Sequence, residues 1–442
     1  MKSEEEYVLK TVKERGVRFI QLWFTDVLGT PKGFSITPAE LENALSDGMI
    51  FDGSSIDGFS RIQESDMLLM PDANTFQILP WMIENASVAR VVCDVKNNDG
   101  SPFEGCPRRV LKRTLDSTKK RGYEFYVAPE IEFFYFKDDL NKPVCLDNGS
   151  YFDLTVSDLA TELRKRTVVA LEDMGIPVEH AQHEDAPSQH EIDLRYTDAV
   201  TMADTIMTAR LIIKSLALQQ GVIASFMPKP LESEQGSGMH SHFSLFKGDV
   251  NCFADENQEY GLSTLAKHFI AGVLNYSKEI TAVTNQWVNS YKRLVPGYEA
   301  PVNISWARNN RSALVRIPVA KLGNSEATRF EYRAIDSACN PYLVFALILS
   351  AGLKGIDLQM ELMPETSVNL YSQNNETNVY ETADPLPNNL KSAIENMENS
   401  EFAHEVLGDH VFEWFLKNKK QEWERYARHV TDYEIGRYLP YL

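Results

Sequence analysis

Residues 127–136 read VAPEIEFFYF, an apolar and aromatic run interrupted by two acids, Glu130 and Glu132. The run has the composition of a buried strand. Side chains two apart on a strand share a face, so the two carboxylates project together. Like charges held close in apolar surroundings lose hydration and repel one another, which costs several kcal/mol unless something offsets it. A chain that keeps both acids on a core strand has to supply a cation for them.

The rest of the composition limits what that cation serves. A length of 442 residues allows two or three domains with a substantial core. With 43% hydrophobic and 24% charged residues, the chain reads as soluble and globular. Lys+Arg 44 against Asp+Glu 63 gives a net charge of −19, which argues against nucleic acid or an anionic membrane as the main partner. The cysteines (Cys93, Cys106, Cys145, Cys252 and Cys339) are odd in number, scattered and without a C-x-x-C pair. They fit a reducing cytoplasm and neither a disulfide framework nor a zinc ribbon. The start, MKSEEEYVLK, is acidic and is not a signal peptide. The most apolar stretch, YLVFALILSAGL at 342–353, is too short to span a bilayer and reads as a core helix started by Asn340-Pro341.

Organisation along the chain predicts an α+β protein with a small domain at 1–104 and a larger one at 105–442. In the first, VRFIQLWF, KGFSIT, TFQILPW and SVARVVCDV read as strands, and a short helix begins at Thr37-Pro38 and stops near Gly48. The polar segment KNNDGSPFEG then marks a linker. Beyond it, helices predicted at 107–121, 157–174, 199–220 and 262–282 alternate with strands that carry the unusual residues.

Those strands contain the candidates for the cation. VEHAQHEDAPSQHEID (178–193) gathers histidines and acids around a hairpin-like turn at Pro187-Ser188. Pro187 stands too close for a helix to place two histidines on one face, and H-E-x-x-H is absent, so a zinc hydrolase is disfavoured. GSGMHSHFSLF (236–246) puts His240, His242 and Ser244 on one strand face, and RFEYR (329–333) does the same for Arg329, Glu331 and Arg333. Each alone is also what a polar loop, a structural histidine or a surface ion-pair ladder looks like. Together, Glu130, Glu132, Glu184, Glu191, Glu331 and His240 form a donor set dominated by carboxylate oxygen, which suits Mg²⁺ or Mn²⁺ rather than zinc. Arginines beside such ions suit an anionic substrate, so a two-metal phosphoryl-transfer site is the reading from residues alone.

FDGSS (51–55), PEIEF (129–133), GSGMH (236–240), NSYKRLVPGYEAP (289–301) and NPYL (340–343) resemble, in order, the signature segments of type I glutamine synthetase. The resemblance implies a small β-grasp domain followed by a large α/β catalytic domain. It implies ATP-dependent joining of L-glutamate and ammonia through γ-glutamyl phosphate, in a dodecamer of two hexameric rings with active sites shared between subunits. By the same matching, Glu132, Glu184 and Glu191 correspond to one metal site, and Glu130, His240 and Glu331 to the second, with at least two ions per active site. Gln235, Gly236, Arg293 and Arg333 correspond to the glutamate site, with Gln235 standing where the family usually has Asn. Arg311 and Arg316 correspond to phosphate and nucleotide residues, with Glu179, His242 and Ser244. Asp52 matches the acid that takes a proton from ammonium on a neighbouring subunit, and Glu299 the acid of a closing flap.

The resemblance also bears on control. NLY at 369–371 is followed by Ser372-Gln373-Asn374-Asn375 rather than the Asp, Leu and prolines of the adenylylated subgroup, which disfavours modification of Tyr371. Arg61 stands where the shorter alpha subgroup has an arginine associated with glutamine feedback inhibition. A small regulatory protein is a further expected partner. The nearest rival is a γ-glutamyl ligase for an organic amine, which would keep the metals and lack the ammonium-site pattern.

Overall fold

The computed structural model describes residues 3–54, 56, 58, 66–82, 87–137, 142–154, 159–308, 310–319, 325–366 and 384–442. Among these, two sheets organise the chain. The first has the order Pro31–Ile36, Val17–Thr25, Ser87–Asn97, Asp66–Pro71, Met49–Asp52, with Gln77–Ile78 also on Ser87–Asn97. Val17–Thr25 and Ser87–Asn97 run parallel, and their neighbours antiparallel. Ile20, Leu22 and Phe24 alternate into a core with Val8 and Val12 of the helix Ser3–Glu14 and Leu41 and Leu45 of the helix Leu41–Asp47. TFQILPW keeps only the two-residue strand Gln77–Ile78.

The second sheet follows the path Trp306–Ala307, Val315–Arg316, Phe330–Tyr332, Met239–Lys247, Glu124–Lys137, Gln189–Leu194, Val178–His183. VAPEIEFFYF forms a strand, as expected, within Glu124–Lys137, which lies near the middle of this sheet. Helices Pro107–Lys120, Leu159–Asp173, Ala199–Gln219 and Pro341–Asp357 bury most of their apolar side chains in the core shared with this sheet, with Leu159, Val169 and Leu218 left exposed. Asn340 caps the last by accepting from Tyr342 N at 3.2 Å, with Pro341 in the first turn. It packs so closely on Thr264–Asn275 that a Cβ on Gly272 would come within 2.2 Å of the Ala351 carbonyl. The helix predicted at 262–282 is broken: Thr264–Asn275 ends at Tyr276, and Ser277–Thr284 begins anew. The Ser277 hydroxyl donates to Val273 O at 2.8 Å, a back-bond that bends helices.

Buried polar contacts join the two parts. Arg108 pairs with Asp72 (2.9 Å) and Asp94 (2.7 Å) on the first-sheet side and with Asp204 (2.9 Å) on Ala199–Gln219. Asn340 also donates to the carbonyls of Asp26 and Val27. All five cysteines are free thiols. Among the described residues no helix is long and apolar enough to cross a membrane.

Candidate active site

Cross-strand register gathers the acids onto one face of the second sheet. Glu130 lies opposite Asp193 on one side and His240 on the other; Glu132 lies opposite Glu191. Glu191 in turn faces Gln182, and Glu331 faces both His242 and Arg316. Paired residues share a face, so acids, histidines and arginines form one stripe across five strands.

Within the stripe, Glu130, His240 and Glu331 bring ligand atoms within 4.8 Å of one another. Glu130 accepts from His242 Nε2 (2.7 Å) and is 3.2 Å from His240 Nδ1. Glu331, fully buried, is clasped by the guanidinium groups of Arg316 and Arg333. Glutamines bridge the second group: Gln189 Nε2 donates to Glu132 (3.2 Å), and Gln182 Nε2 lies 2.8 Å from Glu191 and 3.4 Å from Glu184. Glu132 also accepts from Gly238 N at 2.7 Å. The structure thus brings the ligand atoms of Glu130, His240 and Glu331 together; Glu132, Glu184 and Glu191 are neighbours joined through Gln182 and strand register, and the ligand atoms of Glu191 cluster instead with those of His180 and Asp193.

Their electrostatics differ along the stripe. Burial pushes Glu132 well above the usual carboxylate range, with the Glu184 charge adding to it against Arg293. Burial does the same to Glu191, helped by Asp193 and Glu132, and raises Glu184. Burial opposes ionisation of Glu130 and Glu331 too, but is outweighed. Hydrogen bonds from His240 and His242 hold Glu130 well below its ordinary value, and Arg333 lowers Glu331 to about 2. Burial beside Arg333 lowers His240 to about 4, which leaves it a neutral, ligand-competent imidazole near neutral pH.

Two cavities flank the stripe. On one side a narrow cleft is lined by Glu132, Glu184, Gln235, Gly236, Arg293 and Glu299. The Gln235 side chain accepts from Glu299 N at 2.9 Å, and Lys229 Nζ lies 3.3 Å from the ring centroid of Tyr298 beside it. Arg293 donates to the carbonyls of Arg333, Ala334 and Ile335, so it also ties the cleft floor together. Arg311 is raised above its ordinary value by a hydrogen bond to Tyr151, against burial. On the other side a cavity of about 420 Å³ is lined by Glu130, Glu179, His242, Ser244, Tyr196 and Arg329. A larger cavity of about 750 Å³ has only one acid, Glu422, on its wall and borders none of the stripe.

Sequence reasoning missed Asp193 and His180. Asp193 Oδ2 is 2.7 Å from His180 Nε2, and its buried Oδ1 has no hydrogen-bond partner among the described residues. Burial beside Glu130 raises Asp193 to about 8. The signal was present: Glu191 and Asp193 are two apart on a strand, as Glu130 and Glu132 are. An orphaned carboxylate oxygen among raised acids is what an oxygen-rich cation site looks like without its ion, so this donor set fits divalent metal.

Asp52 is not on this face. It ends the edge strand Met49–Asp52 of the first sheet, exposed, and accepts from Ser54 N at 2.8 Å. Arg61, Tyr371 and the final serine of FDGSS lie outside the described residues.

Comparison with known proteins decides the family. The model described as "Glutamine synthetase, catalytic domain" matches residues 104–438, and "Glutamine synthetase, beta-Grasp domain" matches residues 16–98. The chain belongs to the glutamine synthetase family. Relatives named glutamine synthetase come from bacteria and an archaeon. That of Mycolicibacterium smegmatis is 51% identical, covering 99% of this chain and 100% of the relative. That of Methanosarcina mazei is 48% identical, covering 100% and 98%. Among solved structures, the Plasmodium falciparum glutamine synthetase superposes with TM-score 0.90 at 26% identity over 99% of each chain. A chain titled "GmaS/ADP complex-Conformation 1" superposes with TM-score 0.89 at 30% identity, over 98% of this chain and 99% of that one. The expected β-grasp and catalytic folds, and the ligase class, are borne out.

Proposed function

We propose that this chain joins L-glutamate to ammonia at the expense of ATP through γ-glutamyl phosphate, for nitrogen assimilation in the cytoplasm. One observation carries the reading: a stripe of buried carboxylates with His240 runs between two cavities, one lined by Gln235, Gly236 and Arg293 of the expected glutamate site and the other by Glu179, His242 and Ser244 of the expected nucleotide site. The reading assigns the β-grasp domain to residues 1–104 and the catalytic domain to 105–442.

Glu132, Glu184 and Glu191 would hold one divalent ion, and Glu130, His240 and Glu331 another, Mg²⁺ or Mn²⁺. Bound there, the ions would supply charge neutralisation at the transferring phosphoryl group. Gln235, Gly236, Arg293 and Arg333 orient glutamate so that its γ-carboxylate meets the γ-phosphorus of ATP in line, with ADP leaving. Arg311 and Arg316 add fixed positive charge, and Glu179, His242 and Ser244 line the nucleotide side. Glu299, on the segment after Pro296-Gly297, closes over the acyl phosphate and excludes water. Incubating the full chain with Mg²⁺, ATP, glutamate and ammonium tests the reading: glutamine and ADP should form one for one. ATP hydrolysis indifferent to glutamate would refute it.

Asp52 takes a proton from the ammonium nitrogen, acting on a neighbouring subunit's site in a dodecamer of two hexameric rings. Its place on an exposed edge strand of the other sheet fits that reading. So does the tail, where Val430, Tyr433, Ile435, Leu439, Tyr441 and Leu442 are exposed and suited to burial in another subunit. Asp52→Ala is expected to lower ammonium-dependent turnover by about 10²-fold or more, the usual worth of a general base. Turnover with hydroxylamine, a neutral nucleophile near pH 7, should fall far less. Equal losses with both would place Asp52 elsewhere in the reaction.

Control follows the alpha subgroup: glutamine inhibits, with Arg61 as the sensing arginine, and a small regulatory protein is a further partner. Arg61→Ala should keep substantial activity and lose sensitivity to glutamine. A variant inhibited as strongly as the wild type removes Arg61 from this role.

A further inference from the structure

Behind the stripe, the hairpin Val178–His183 and Gln189–Leu194 carries a second polar cluster on its opposite face. His183 and His190 are a cross-strand pair, 1% and 0% exposed, and each is the chain neighbour of a proposed metal ligand, Glu184 or Glu191. Successive strand residues point to opposite faces, so His190 sits directly behind Glu191.

Asp147 ties the cluster to the turn. Its Oδ1 accepts from Ser188 N (2.8 Å), Gly149 N (3.0 Å) and His183 Nε2 (3.0 Å). His183 Nδ1 donates to the carbonyl of Glu184 at 2.6 Å. Ser188 closes the turn at φ 64°, a left-handed conformation that a non-glycine residue keeps only where its surroundings hold it there. Its hydroxyl accepts from Leu146 N (2.7 Å) and Asp147 N (3.1 Å), which fastens the strained residue to the same loop. A Cβ on Gly149 would come within 2.5 Å of His183 Nε2, so the loop and hairpin are pressed together.

Asp147, His183 and His190 have ligand atoms within 4.8 Å of one another. Among the described residues Asp147 Oδ2 and His190 Nε2, 3.7 Å apart, have no hydrogen-bond partner. Unlike the orphaned oxygen of Asp193, Asp147 Oδ2 faces ring nitrogens already committed as donors, so a metal does not suit the group. Both ring nitrogens of His183 act as donors. Arg164 Nη1 donates to His190 Nδ1 at 2.6 Å, which leaves the hydrogen of that ring on Nε2. Neither histidine offers a free lone pair. A buried polar cluster is a poor source of stability compared with apolar packing. What these contacts share is that they fix the turn bearing Glu184 and the strand bearing Glu191.

We propose that Asp147, acting with His183, His190 and Ser188, is a positioning residue that sets Glu184 and Glu191 for a divalent ion without touching ion or substrate. The proposal rests on reading those two glutamates as metal ligands, so Glu191→Gln is the reference: it should remove one Mn²⁺ site from the full-length enzyme in a direct binding titration. Unchanged Mn²⁺ binding by Glu191→Gln would overturn that underlying reading. Asp147→Asn should retain the number of sites and weaken Mn²⁺ binding by about 10–100-fold, the usual effect of losing a group that orients a ligand. Its glutamine turnover should recover at saturating Mn²⁺. An Asp147→Asn enzyme with a lower Tm and unchanged Mn²⁺ affinity would make the cluster merely structural and overturn the proposal. If Asp147→Asn does not fold, Ser188→Ala, which deletes one hydroxyl, decides the matter by the same titration: weakened Mn²⁺ binding supports positioning, and unchanged binding overturns it.

Discussion

Glu132→Ala should lower glutamine formation by about 10³-fold or more, because several kcal/mol of charge stabilisation at the phosphoryl group disappear and each 1.36 kcal/mol is a factor of ten. The same substitution should leave the fold intact. It removes a buried carboxylate that repels Glu184, a gain for the metal-free protein. It also strands the donor Gly238 N, at about 1–3 kcal/mol for a group left unsatisfied, while Gln189 Nε2 keeps the Gly236 carbonyl at 3.1 Å. The two effects oppose, so Tm without metal should move little, while the rise in Tm that added Mn²⁺ gives the wild type should shrink. Near-normal turnover at saturating Mg²⁺ would remove Glu132 from the metal site.

Arg333→Leu should have the largest effect on stability. It takes one of two guanidinium groups from the fully buried Glu331, and breaking a buried pair by deleting one partner costs about 3–5 kcal/mol. Arg316 stays, which places the expectation toward the lower end. The companion test is a double variant: Glu331→Gln added to Arg333→Leu should recover part of the loss, because the buried carboxylate charge that Arg316 alone would have to offset is then gone, while the amide oxygen can still accept from the partly exposed Arg316. The pH dependence has a definite sign. Glu331 falls from an ordinary 4.5 to about 2 in the folded chain, with Arg333 overcoming burial. Its contribution is therefore complete above about pH 4.5 and is lost as pH falls through about 2. In metal-free Arg333→Leu that acid-side loss should be smaller. A variant as stable as the wild type, with an unchanged acid profile, would mean that the pairing counts for little.

What could be read from the sequence follows the range of the physics involved. The paired acids of VAPEIEFFYF were legible because strand alternation is local, and the same holds for His240, His242 and Ser244 on Met239–Lys247. The cap at Asn340 and the helix it starts were legible for the same reason. The strands Met49–Asp52 and Asp66–Pro71 were not singled out, since their pairing depends on register with each other and with Ser87–Asn97. The break at Tyr276 turns on one serine back-bond inside an otherwise continuous helical pattern. Asp193 obeys the very rule that exposes Glu130 and Glu132, but it stands among histidines and acids whose pattern is equally that of a polar loop. The carbonyls of residues 333–335 that Arg293 holds lie some forty positions along the chain, and only folding reveals them.

The central claim is that this site makes an amide from ammonia rather than from an organic amine. Competition in one vessel tests it most directly: the full-length enzyme with Mg²⁺, ATP and glutamate receives equal concentrations of ¹⁵N-ammonium and methylamine, and products are resolved by mass. The account predicts ¹⁵N-glutamine as the dominant product, with γ-glutamyl methylamide a minor one. A dominant γ-glutamyl methylamide would contradict it.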